Sequence, residues 1–208
     1  MTGLLLRCPL PPPYVELPDC APAEDAAVAE GLVDEVWRDP VEPVRAALVE
    51  RYAAALRARR RLGTGVVALA QAQGPDGVSA STLAVQLVPS PHDDPEAAAA
   101  AVLAAVRARG GGGRAQVVAV PLGPAAVRLR ERRVVVQDGG RPVEVPVGTL
   151  DAVVPVPGRR VAVLLSAFCP TVDDLPRHAA LAGAVLAGTT VTPAGPGAGP
   201  EEDPRAAG

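Results

Sequence analysis

Aromatic side chains are almost missing from this 208-residue chain: Tyr14, Trp37, Tyr52 and Phe168 are all of them. Yet 49% of the residues are apolar, mostly Ala, Val and Leu. The length suits one domain, and its core must be built from aliphatic side chains. Lys, Asn and Ile are also absent. Ala, Arg, Gly, Pro and Val, whose codons are rich in G and C, fill their places, which reads as the mark of a high-GC bacterial genome. Many residue choices here therefore reflect mutational pressure and not chemistry.

The missing Lys excludes several chemistries. A P-loop needs GK[ST], a protein-kinase site needs its strand Lys, and Schiff-base or pyridoxal phosphate chemistry needs a Lys amine. Net charge is −3 and unevenly spread, with an acidic N-terminal third, a basic middle third carrying eleven Arg over residues 57–133, and an acidic C-terminal third. Solvated or mutually paired charge explains this pattern, with a basic binding face as the sharper alternative. Three cysteines, Cys8, Cys20 and Cys169, an apolar N-terminal run of only Leu4 to Leu6, and a longest apolar run of Ala97 to Val106 predict a cytoplasmic protein with reduced thiols and no membrane insertion.

Periodicity sets the order of elements. Residues 1–22 form a Pro-rich segment in which Tyr14 to Leu17 can be an edge strand. Glu24 to Arg38 and Pro43 to Leu62 read as helices, the second with Val44, Leu48, Tyr52 and Leu56 on one stripe. Gly65 to Gln73 and Ser81 to Val88 read as a hairpin about Gly74-Pro75-Asp76-Gly77. A third helix is capped by Asp93 or Asp94, with Pro95 in its first turn, and stops at Gly110 to Gly113.

Strands follow at Ala115 to Pro121, Ala125 to Val136, Val143 to Val147, Ala152 to Val156 and Arg160 to Phe168, the last apolar on both faces and so placed centrally. A final helix spans about Val172 to Ala187, capped by Thr171 or Asp173. Turn-length connections mean antiparallel pairing. The expected fold is α+β: a mainly antiparallel sheet of about six strands with helices packed on it. Residues 23–190 form the single domain and 191–208 a disordered tail.

No complete catalytic motif appears. Gly77-Val-Ser79-Ala-Ser81 lacks the last Gly of a nucleophile elbow and is followed by a strand. Gly110 to Gly113 leaves a helix instead of opening one, so it is a helix stop and not a phosphate loop. His92 with Asp93 and Asp94 offers too few ligands for a metal. His178, four residues after Asp174 and near Cys169, reads as a surface histidine on a capped helix; a Cys/Asp/His site is the alternative. Arg57, Arg59, Arg60 and Arg61 suit a helix C-terminus. Arg128, Arg130 and Arg132 alternate along a strand and share one face. They are the candidate binding residues. If the face is open it can take an acidic partner or a phosphate; if helices cover it, the arginines pair with acids of the N-terminal helices. Few aromatics and a negative net charge argue against nucleic acid.

Tyr14-Val-Glu-Leu-Pro, Ser81-Thr-Leu-Ala-Val and Val154-Pro-Val-Pro-Gly resemble segments of a set of uncharacterised proteins from high-GC bacteria. The element order is similar to the Mog1/PsbP-like fold, an antiparallel sheet between helices. That resemblance implies binding, assembly or secretion-accessory roles with no shared active site. The function expected is a non-enzymatic binding or adaptor domain acting through contacts with another protein, without cofactor or metal. The alternative is a small-molecule-binding or enzymatic domain with a site assembled from distant residues around Cys169 and His178.

Overall fold

The strand Val161–Cys169 holds the fold together, and it is the last long strand in the chain. In this computed structural model, which describes residues 3–37, 40, 42–62, 65–74, 77–110, 112–138 and 141–194, the chain runs in the order β1 (Leu4–Arg7), β2 (Tyr14–Glu16), α1 (Asp25–Val36), α2 (Glu42–Leu62), β3 (Val66–Gly74), β4 (Gly77–Pro89), α3 (Pro95–Ala108), β5 (Arg114–Val120), β6 (Gly123–Asp138), β7 (Arg141–Pro155), β8 (Val161–Cys169), α4 (Leu175–Gly188) and β9 (Thr190–Pro193). Short 3-10 turns precede α1 and α4. The large sheet has the order β2-β3-β4-β8-β7-β6-β5 and every pairing in it is antiparallel. β8 therefore sits fourth of seven, as its apolar sequence predicts. β1 and β9 make a second sheet of two strands.

Side-chain parity assigns the two faces. Ala68, Leu83, Val85, Leu150, Ala152, Val163 and Leu165 point to one face, where Ala182, Val185 and Leu186 of α4 meet them and Leu6 and Val191 of the small sheet close the side. Val67 and Leu69 point to the other, under Ala29, Leu32 and Val33 of α1 and Leu48, Tyr52 and Leu56 of α2. α3 lies on that same face, over β5, β6 and β7. The architecture is α+β, as expected, with helices on both faces of the sheet.

Local signals explain the helix ends. Asp94 caps α3 by accepting from the Glu96 N–H at 3.0 Å, with Pro95 in the first turn. Asp25 opens α1 and Arg60 ends α2, and the two side chains form a two-bond ion pair at 2.5 and 2.6 Å. Each charge also sits at the helix end whose dipole favours it.

Three elements differ from the sequence reading. Val143 to Val147 and Ala152 to Val156 are not two strands: β7 runs unbroken through Gly148-Thr149-Leu150. Gly148 is accommodated within this strand because a Cβ on it would lie 2.7 Å from a Leu175 methyl. Leu4–Arg7 is a strand, and Thr190–Pro193 is its partner, so folded chain extends past residue 190. The cap expected from Thr171 or Asp173 is not made, since neither end of that turn has a side-chain cap bond. Residues 195–208, the rest of the expected tail, and the Pro75-Asp76 turn lie outside the described residues.

The central position of β8 gives a first test. Leu165 is fully buried between β4 and β7. Leu165→Ala is expected to cost about 2–5 kcal/mol, read as a fall in the urea midpoint at constant m-value.

Candidate functional site

The basic strand face becomes one side of a cleft because α3 packs over β5, β6 and β7 beside it. On this face the register lines up Ala84, Ser166, Asp151 and Arg128 across four strands, and beside them Thr82, Phe168, Thr149 and Arg130. The cleft between this surface and α3 has a volume of about 440 Å³. Val102, Leu103 and Val106 form its helical wall, Ala126 and Val153 its apolar floor, and Arg109, Arg128, Arg130 and Asp151 its polar end.

The two strand arginines in the cleft are held differently. Arg128 Nη2 donates to the Gly110 carbonyl at 2.8 Å and the Gly112 carbonyl at 3.2 Å. It thus fixes the loop that ends α3, where carbonyls without helical partners attract a cation. Gly110, Gly112 and Gly113 have φ of 64°, 67° and 90°, which confirms a helix stop that glycine makes without strain. Arg130 Nε donates to Thr149 Oγ1 at 3.0 Å, and its Nη2 is 3.8 Å from Asp151 Oδ2. Ser166 Oγ donates to the other oxygen of Asp151 at 3.1 Å. Arg130 is a half-buried cation steered by one side chain and only loosely neutralised by another.

These contacts correct the expected pairing. Neither Arg128 nor Arg130 reaches an acid of α1 or α2; their partners are loop carbonyls, Thr149 and Asp151. Arg132 shares their face but lies opposite Val147, beyond the end of β5, and is exposed outside the cleft. The Arg57 to Arg61 group does more than suit a dipole. Arg59 donates to the Gly65 carbonyl at 2.9 Å, and Arg60 binds Asp25. The Arg60 guanidinium beside Asp25 holds its carboxyl below the usual carboxylate range.

His178 is not a surface residue. It is 2% exposed, on the side of α4 that also buries Leu175, Ala182, Val185 and Leu186. Burial pushes its pKa down, against the opposing pull of Asp174. Cys169 is buried at the edge of the same core, donates to the Thr171 carbonyl at 2.9 Å, and has its thiol pKa pushed up by burial. A neutral imidazole and a protonated thiol are the reverse of an activated nucleophile pair, and neither residue lines the cleft. Ser79, the nucleophile position of that near-elbow, lies inside strand β4, paired with Ala72, and not at a strand-to-helix turn, and Ser81 is buried with its hydroxyl 3.1 Å from that of Tyr14. His92 is exposed, Asp94 is used as a cap, and no metal-ligating group of three occurs among the described residues. All three cysteines are free thiols, and no helix of the described residues is long and apolar enough to cross a membrane.

No known family model matches the chain, and no curated protein matches it. A solved structure of LpqN, involved in cell envelope biogenesis of Mycobacterium tuberculosis, is similar with a TM-score of 0.43 and 13% identity over 92% of this chain and 86% of that one.

Buried His178 generates a pH dependence. The unfolded chain takes up its proton near the ordinary value of about 6.5, the native state only at a lower pH. Its stability contribution is whole above the unfolded value and declines as pH falls towards the depressed native one. Urea midpoints at pH 7.5 and pH 5 should therefore drop more for the wild type than for His178→Gln.

Proposed function

We propose that the protein is a non-enzymatic binding domain that receives an acidic segment of a partner protein at the cleft between α3 and strands β6 and β7. One observation carries the reading: Arg130 is presented half-buried at the end of an apolar cleft, and among the described residues its one acidic partner is Asp151 at 3.8 Å. A partly desolvated guanidinium binds a carboxylate more strongly than an exposed one does. Aliphatic side chains next to it add apolar area to the same contact.

The absence of lysine chemistry, the raised Cys169 pKa and the lowered His178 pKa favour binding over catalysis. A role in assembly is what the similarity in element order to the Mog1/PsbP-like fold would imply, and three free thiols are compatible with the cytoplasm. The shape of the cleft, apolar along its length and cationic at one end, also fits a small amphipathic anion, which is the second reading.

Arg109→Glu combined with Arg130→Gln tests the proposal while leaving Arg128 to hold the α3 loop. Capture from a lysate of the native host at moderate salt should recover one stoichiometric protein with the wild type, at least tenfold less with the double variant, and thermal unfolding should stay unchanged within a few degrees. A partner held equally by both proteins would remove the cleft from the reading. No partner, with a thermal shift produced by a fatty acid such as decanoate, would favour the second reading.

A further inference from the structure

Helices α2 and α3 stand on the same face of the sheet, but not side by side. α2 packs on β3, and α3 is centred on β6. The sheet order β3-β4-β8-β7-β6 puts four strand spacings between them. At about 4.8 Å per spacing the helix axes are roughly 19 Å apart, twice the ~8–10 Å at which packed helices lie. The helical layer on this face therefore has a slot one helix wide.

Burial along the floor agrees. On β4 and β8, Leu83, Val85, Leu165 and Ala167 are buried against the α4 side, while Thr82, Gln86, Leu164, Ser166 and Phe168, which face the slot, are only half-buried. Each wall carries a cleft. The one against α3 is that of Arg130, and the one against α2, about 340 Å³, has Ala54, Ala55 and Ala58 above Phe168. Small side chains on α2 permit close approach of another backbone.

The charges select the occupant. Arg51 stands on the α2 wall, Arg109 at the end of the α3 wall and Arg130 on the floor beneath α3, while Asp151, the acid at the floor, is already engaged by Ser166 and Arg130. We infer that the slot receives an amphipathic helix of a partner protein, apolar towards Leu164 and Phe168 and acidic on both flanks, an inference that rests on reading this face as the partner-binding one. Recognition of this kind lays the apolar stripe of a helix into a groove and reads its flanking charges.

The test uses the full chain and a fluorescein-labelled 14-residue synthetic helix with leucines at i, i+3, i+4 and i+7 and glutamates on both flanks, measured by anisotropy. The expected result is saturable one-to-one binding, weakened at least tenfold when the flanks are lysine, when a central proline breaks the helix, or when the protein carries Arg51→Glu. Arg51 is exposed and lies across the slot from Arg130, so its substitution leaves the core intact and probes the second wall. Absence of binding up to millimolar peptide, equal binding of the lysine or proline peptide, or indifference to Arg51→Glu would each overturn the inference. If the captured host protein still depends on Arg109 and Arg130 in that event, the binding role stands and only the helical occupant falls.

Discussion

The antiparallel insertion of β8 between β4 and β7 is the constraint from which the rest of the structure follows. Without it there are two separate groups, β2-β3-β4 under the N-terminal helices and β5-β6-β7 under α3. β8 pairs with Thr82 to Pro89 on one side and Gly148 to Pro155 on the other. It thereby fixes the register of one group against the other. That register is what brings Ser166, Asp151 and Arg130 within reach of each other, since Ser166 belongs to β8 and the two others to the second group. The aliphatic composition suits this arrangement: Val163 and Leu165 enter a layer formed by Leu83, Val85, Ala152 and Val154 without a bulky ring among those positions.

The two faces of the sheet are finished to different degrees. One is sealed by α4 and the β1–β9 pair, over a core from Tyr14 to Leu186. The other is covered at its ends and not in its middle, and the polar residues of β7 and β8 lie where cover is thinnest. A sheet face with aliphatic margins and a polar centre serves recognition better than stability, because Arg130 and Asp151 lose hydration there and recover it only in part.

Much of this was readable in the sequence. The apolar run of β8 announced its central place, Asp94-Pro95-Glu96 announced the start of α3, and the parity of Arg128 and Arg130 put them on one face. What the sequence did not show depended on distant partners. Leu4 to Arg7 carries too short a pattern to be seen as a strand before Thr190 to Pro193 pairs with it. Asp25 gives no local hint of Arg60. Nothing near Arg130 reveals that α3 will stand beside it, so the cleft itself was not legible. His178 does carry a signal of burial in the sequence: Leu175, His178, Ala182 and Val185 recur at steps of three and four, the mark of one buried stripe. Asp174, four residues earlier, gives the same stretch the look of a charged surface turn.

β7 runs seven residues beyond the stretch that β8 covers, and β6 runs with it past the end of β5. Those lengths form a two-stranded ribbon, with Val135 63% exposed on it. A valine-rich ribbon with bare edges invites strands of other molecules to add on and polymerise. Pro142 and Pro146 lie on the β7 edge at positions of equal parity, and neither has an N–H to offer. Because the ladder to β6 continues past both, the missing donors fall on the outer edge. An incoming strand would find two of the three donors of that parity missing between Arg141 and Val147, which disfavours strand addition on the β7 side of the ribbon.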